Sequence, residues 1–390
     1  NETYVAVATR VHELFKQACL ADPTIFPELI TINLSDKKIV EVVKVLQDIC
    51  ITDTSVDNIG AAFEIFFGSV FRGELGQYFT MRPLSRFTVA MLDIKHEHYV
   101  IDPTCGSGGF LLEVLLQVWN KLDRDYAGRR ELERIKTDFA LNQVYGIEIH
   151  DILARICKIN LLLHHDGHTN IEGDKSCLDT EFTKERLKLG KENFNVVVGN
   201  PPFGDTIKEG DEDQLGKSSL EDFEVSAGRS QIPSEHIIVE KSIKMLKDDG
   251  LLGLVLPDGV FNNQGELSNC PLLRNYLVKQ GRVLAVVSLP DYAFRKSGAQ
   301  NKTSILFFKK FNYDQRTAFE NAYDAQIANG ASDEQAIIAA LSANPYRVFM
   351  AEANFIGYSS TGALMEKNDL YRGSAGGHLD DDQSETILGE

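Results

Sequence analysis

With 390 residues, 43% of them hydrophobic and 25% charged, the chain is too long and too apolar for a disordered polymer and suits about two globular units. Lys and Arg total 40 against 57 Asp and Glu, and the net charge of -17 excludes a binder of polyanions whose whole surface is basic. Six scattered cysteines (Cys19, Cys50, Cys105, Cys157, Cys177, Cys270) form no CxxC pair, which suits reduced thiols, no disulfides and no zinc site. No apolar run approaches the ~18 residues of a membrane span, no signal peptide is visible, and a cytoplasmic location is expected. The chain starts at Asn1 rather than Met, as a piece of a longer protein would.

From residue 1 to 72 the apolar residues recur at helical spacing, as in "IVEVVKVLQDI" and "IGAAFEIFFGSVF", which predicts a small N-terminal helical domain. Pro23 and Pro27 mark a break within it. Over 73–310 the pattern becomes short apolar runs separated by helices: "YVIDPT", "VYGIEI", "NVVVGN", "LLGLVLP", "RVLAVVSLP", "SILFFKK". Apolar strands alternating with helices predict an α/β domain with a parallel sheet covered on both faces. Two strands end alike, in "LPDGVF" and "LPDYAF", and read as exits at one sheet edge, where such folds place ligands. The Gly-, Ser- and acid-rich segment 204–233 reads as a mobile loop beside the site. Residues 311–360 read as a helical insertion, with Ser332 and Gln335 spaced as a capping box, followed by the short strand "YRVFMA". The remaining 361–390, acidic from about residue 373, reads as a flexible tail.

"VIDPTCGSGGF" has the form strand, glycine-rich turn, helix. Gly106, Gly108 and Gly109 let backbone approach a ligand while the helix start presents N–H groups. A dinucleotide fingerprint needs a third Gly at the sixth position, which is Leu111, and an acid about 20 residues on; neither fits. The next strand ends instead in Glu148, and the one after it in Asp174. Placed at one sheet edge, Glu148 suits two ribose hydroxyls, Asp174 an exocyclic adenine amine, and Asp102 an ammonium. A ligand with amino-acid, ribose and adenine parts and no phosphate is S-adenosylmethionine. The plainer reading leaves Glu148 and Asp174 as caps of the helices that follow. "GDEDQLGKS" at 210–218 has the wrong spacing and too many acids for a P-loop, and "HEH" and "HHDGH" lack metal-ligand spacing.

"NVVVGNPPFGD" runs a buried strand into a loop of amide, two prolines and an aromatic ring. Methylating an exocyclic amine requires drawing out a lone pair delocalised into the ring. If the Asn200 side-chain oxygen and the Pro201 carbonyl each accept one N–H, the nitrogen is pushed toward a tetrahedral form with its lone pair aimed at the donor. Pro201 and Pro202 stiffen the loop, and Phe203 offers a flat face for a base. A turn carrying an aromatic plug is the bland alternative.

In their order, "GQYFTMRPLSRFTV", "DPTCGSGGF" and "NPPF" resemble the N6-adenine DNA methyltransferases, most closely the methylation (modification) subunit of type I restriction-modification systems. The resemblance covers roughly residues 58–310. It implies an AdoMet-dependent methyltransferase (Rossmann-like) fold, a mostly parallel seven-stranded sheet with its last strand antiparallel, and adenine swung out of double-stranded DNA. By position it implies Gln77, Tyr78 and Thr80 around the methionine end of S-adenosylmethionine. Asp102, Thr104, Gly106 and Gly108 would line the turn, Glu148 and Asp174 hold ribose and adenine, and Asn200, Pro201, Pro202 and Phe203 carry out the transfer. Phe294 of "LPDYAF" matches the second aromatic that packs on the target base, against an ordinary buried Phe. Met81 departs from the family, which usually has Pro after the Thr. The resemblance further implies a separate specificity subunit and a restriction subunit as partners.

Two rivals stay open. N5 methylation of a protein glutamine uses the same kind of loop, and a non-catalytic AdoMet-binding scaffold would keep the turn without the chemistry. C5-cytosine methylation is disfavoured: it needs a Cys nucleophile after Pro, and Cys270 precedes Pro271.

Overall fold

A computed structural model describes residues 3–23, 25–26, 30–48, 80–163, 167–186, 194–296, 301–373 and 378–390. Gln77, Tyr78 and the whole of the expected helix "IGAAFEIFFGSVF" lie outside the described residues. Of the N-terminal helical domain, two helices are described, Tyr4–Ala21 and Asp36–Leu46. The first is capped by the Thr3 hydroxyl, which accepts the Ala6 N–H.

The strands are β1 (Val100–Asp102), β2 (Val144–Glu148), β3 (Ile171–Gly173), β4 (Phe194–Gly199), β5 (Thr206–Lys208), β6 (Gln231–Pro233), β7 (Leu246–Pro257), β8 (Gly281–Ser288), β9 (Thr303–Lys310), β10 (Phe349–Glu352), β11 (Ile356–Tyr358) and β12 (Leu364–Asn368). Eight of them form one sheet in the order β10-β8-β9-β7-β4-β1-β2-β3. All neighbours are parallel except β9, which runs antiparallel to both β7 and β8. The expected seven strands with an antiparallel member are therefore present, and "YRVFMA" adds an eighth, β10, along the edge of β8.

Why the central strands are apolar throughout is visible residue by residue. Val100 of β1 and Val196 and Val198 of β4 enter one core cluster, while Ile101 and Val197 enter the other. Alternate side chains thus bury on opposite faces, each against helices. On the first face the helices Arg82–Met91 and Gly109–Asp125 supply Phe87, Leu111 and Leu115. On the second, the helix Ser234–Met245 supplies Ile237 and Val239.

The chain builds β1, β2 and β3 in one direction from the centre and then returns to place β4 on the far side of β1. That reversal opens a crevice at the carboxyl ends of β1, β2 and β4, the position at which open α/β sheets bind ligands. Asp102 and Glu148 end β1 and β2, and Asn200 follows the last residue of β4.

Two expectations fare differently. Segment 204–233, expected as a mobile loop, is built around the β5–β6 hairpin and buries Leu215, Leu220, Phe223 and Val225. Widely spaced apolar residues anchor a segment whose average composition is polar, and Glu240, itself fully buried, accepts the Glu224 and Val225 N–H groups. The tail expected to be flexible carries β12, buries Leu370 and Tyr371, and packs Ile387 and Leu388 against the first core. Its acids pair with a cation at hand: Arg372 reaches Asp382 at 3.3 Å and Glu385 at 2.9 Å.

Candidate active site

One cleft, of about 1000 Å³ counting its open mouth, lies at the crevice. Its floor is the turn after β1. There Gly106 and Gly108 have φ of 53° and 85°, conformations that L side chains rarely adopt. A Cβ on Gly108 would also sit 2.7 Å from Cys157 Sγ of the neighbouring helix Asp151–Leu163, so this Gly is required twice over. Glu148 ties the turn to β2: its carboxylate accepts the Gly106 N–H at 2.9 Å and the His150 N–H at 2.9 Å. Glu148 is itself buried, and its side chain both braces the turn and borders the cavity.

Asp102 is 1% exposed and accepts the Thr104 N–H at 3.0 Å. Burial, with some repulsion from Glu148, pushes its carboxyl up to about 8. Gly199 packs against it so closely that a Cβ there would lie 2.7 Å from Asp102 Oδ1. That contact explains the glycine between the three valines and Asn200. The strand must pass the acid with no side chain in the way.

The cleft brings together Thr80, Asp102, Thr104, Gly106, Glu148 and the loop Asn200, Pro201, Pro202, Phe203. These residues come from segments 120 positions apart in sequence (80 to 200) and meet only through the sheet order. Gly108 stands behind the turn, against Cys157, rather than on the wall.

Two expected residues are placed elsewhere. Asp174 is exposed, has φ of 55°, and does not border the cleft, whose wall here is formed by the next four residues, Lys175 to Leu178. Phe294 is 1% exposed and meets the cleft only through Phe203, edge to face at 6.1 Å and 90°. It lies too deep to offer a face to a ligand, and acts as the wall against which Phe203 stands.

Sequence reasoning missed Ile149, Leu153, Cys177, Gln214 and Ile238, which also line the cleft. Ile149 follows Glu148 directly and was within reach of the same strand-end argument. Gln214 was not, since it belongs to the segment read as a failed P-loop; Ser176 Oγ donates to its carbonyl and fastens that segment to the wall. Burial pushes the Cys177 thiol up to about 12, so it stays protonated at neutral pH and offers no thiolate nucleophile. The described cysteines are free thiols, and no group of His, Cys, Asp and Glu among the described residues is arranged to hold a metal.

Known proteins resemble this chain over the same region. The family model for N-6 DNA methylases matches residues 54–340. The methylase subunit of the Escherichia coli EcoEI type I restriction enzyme is 27% identical over 238 residues, covering 61% of this chain and 43% of its own length. That of the Mycoplasma pneumoniae MpnII enzyme is 28% identical over 267 residues, covering 66% of this chain and 45% of its own. The chain therefore spans less than half the length of these two relatives. Among solved structures, the methyltransferase subunit of a Streptococcus thermophilus type I restriction-modification system superposes with a TM-score of 0.55 at 21% identity, over 80% of this chain and 66% of that one, which establishes a shared fold.

Proposed function

The chain belongs to the N-6 DNA methylase family, and from that premise we propose that it transfers the methyl group of S-adenosylmethionine to the N6 amine of a flipped-out adenine in double-stranded DNA. We read it as the modification subunit of a type I restriction-modification system, with target choice supplied by a specificity subunit. The observation that carries the reading is the convergence of Asn200, Pro201 and Phe203 on the same cleft as Asp102, Gly106 and Glu148.

The residues fit the cofactor. An acid ends each of two adjacent strands, a phosphate-free glycine turn lies between them, and Ile149 and Leu153 give an apolar wall suited to a base. The Thr104 hydroxyl oxygen is buried with no hydrogen-bond partner among the described residues, as a group awaiting a ligand would be. Asp102 and Thr80 would hold the amino-acid end and Glu148 the ribose. Segment 175–178 and Gln214 would enclose the adenine, a place expected for Asp174. When bound, S-adenosylmethionine supplies an electrophilic sulfonium methyl.

The protein's task is to make a poor nucleophile adequate. Asn200 Oδ1 and the Pro201 carbonyl accept the two amine N–H bonds, which withdraws the lone pair from the ring and directs it into the cleft. Phe203 supplies the stacking surface, and its orientation is held by Phe294. The nitrogen–carbon bond forms as the methyl–sulfonium bond breaks, leaving a neutral thioether, and the surplus amine proton passes to solvent after transfer. No side chain has to remove a proton before attack, so positioning carries most of the rate.

A label-transfer assay with full-length protein and its specificity partner, offering unmethylated duplex DNA and a protein acceptor together, tests the reading. Label should enter DNA as N6-methyladenine. Asn200→Ala should lower transfer by at least about 100-fold while AdoMet binding stays within a few-fold. Label confined to protein would favour glutamine methylation, and unchanged transfer by Asn200→Ala would remove the loop from the chemistry.

A further inference from the structure

Asn200, Pro201 and Pro202 carry four oxygen acceptors in one short loop: the Asn200 carboxamide oxygen and three backbone carbonyls. An amine presents two N–H groups, so if the Asn200 carboxamide oxygen and the Pro201 carbonyl are to face it together, the Pro202 carbonyl has to be turned elsewhere. That carbonyl is occupied. Ser234 Oγ donates to the Pro202 carbonyl at 2.9 Å, and the Ser234 backbone N–H donates to the Asp205 carbonyl at 3.0 Å. The neighbouring Glu235 carboxylate accepts the Gly204 N–H. One dipeptide, 32 residues downstream, thus grips the loop at Pro202, Gly204 and Asp205, on both sides of Phe203.

That grip has a rigid base. Ser234 is 3% exposed and opens the helix Ser234–Met245, whose Ile237 and Val239 are fully buried and whose Ile238 borders the cleft. A serine at a helix start ordinarily serves to cap it. Here Pro233 is the N-cap and no side chain caps the helix; the Ser234 hydroxyl has its shorter bond, 2.9 Å, to the loop and a longer one, 3.5 Å, to the Glu235 carboxylate.

We propose that Ser234, seconded by Glu235, is a positioning residue for methyl transfer: by holding the Pro202 carbonyl it sets the orientation in which Asn200 Oδ1 and the Pro201 carbonyl face the acceptor nitrogen. The inference rests on the methyl-transfer reading above but not on the identity of the acceptor. Ser234 touches neither cofactor nor substrate, and its effect is transmitted through the loop.

The test compares wild type, Ser234→Ala and Ser234→Thr in the full-length protein with its partner subunit. Single-turnover methylation rate, AdoMet affinity by calorimetry and thermal melting are each measured. Misplacing reacting groups by an ångström costs on the order of 100-fold in rate. Ser234→Ala should therefore slow transfer by about 10- to 100-fold, with AdoMet affinity within threefold and acceptor KM little changed. Ser234→Thr, which keeps the hydroxyl, should recover most of the rate. A Ser234→Ala rate within twofold of wild type overturns the proposal, as does a loss that parallels weakened AdoMet binding and is not recovered by Thr. Should Ser234→Ala not fold, Ser234→Cys, close in size and a poor donor, carries the same expectation and the same refutation. If wild type labels protein instead of DNA, the DNA reading fails, while the ratio of variant to wild-type rates on that acceptor still decides the role of Ser234.

Discussion

At the end of β1, burial and, to a smaller degree, repulsion from Glu148 keep the proton on Asp102 to about pH 8, against the opposing pull of the Thr104 N–H that its carboxylate accepts. An unfolded chain would give up that proton near the ordinary value of 3.8. The folded state binds the proton more tightly, so the contribution of this group to stability is full below about pH 4 and falls as pH rises toward 8. Asp102→Asn has no such penalty. Its melting temperature relative to wild type, both without cofactor, should therefore rise between pH 5 and pH 8; a difference that does not change with pH would show that Asp102 is already ionised. In the proposed complex the acid meets an ammonium, and binding near neutral pH should release about one proton from the wild type and fewer from the variant. Calorimetry in buffers of different ionisation enthalpy measures that number. Gly199 belongs to the same local arrangement, since any Cβ there would strike the Asp102 carboxylate.

Secondary-structure elements repeat the lesson that spacing is legible when its cause is local. The Ser332–Gln335 capping box forms as read, with reciprocal bonds of 3.3 Å and 3.0 Å at the start of Asp333–Ala343. A second box, Asn312–Gln315, starts Tyr313–Ala328 and was equally available to the eye. The strand–turn–helix after β1 was also plain, because φ above zero at Gly106 and Gly108 needs residues without a Cβ. Gly108→Ala combines that backbone cost with the 2.7 Å approach to Cys157 Sγ. It should destabilise the protein by about 1–3 kcal/mol and weaken AdoMet binding, as denaturant titration and calorimetry would record. A neutral effect on both would mean that the helix Asp151–Leu163 shifts freely. What was not legible is the order inside 204–233 and the tail, where a few apolar anchors in polar sequence make long-range contacts that average composition hides.

For the whole molecule, the sheet recruits residues well beyond the methylation motifs. Tyr358 of β11 is 1% exposed and its hydroxyl donates to the Ala293 carbonyl at 2.8 Å, beside the Phe294 that supports Phe203. Ending the chain at Asn354 would strip Ile356, Tyr358, Leu370 and Tyr371 from the core. Each large buried side chain is worth about 2–5 kcal/mol, and their sum rivals the whole stability of a typical domain, about 5–15 kcal/mol. The truncated chain should show no cooperative melting transition; a transition close to that of the intact chain would make the tail an accessory. No helix among the described residues is long and apolar enough to cross a membrane.

Sequence by itself determined the fold class, the glycine turn, the strand-end acids and the NPPF loop. These features depend on periodicity, backbone conformation and short-range spacing, all of which a linear chain carries. Tertiary structure alone decided that Asp174 faces solvent, that Phe294 stands behind Phe203, and that Gln214 and Ser234 reach the cleft or its loop. The reason is geometric: which side chain faces a cavity depends on how distant segments pack, and a contact such as that of Ser234 with Pro202 leaves no repeat, period or spacing to be read.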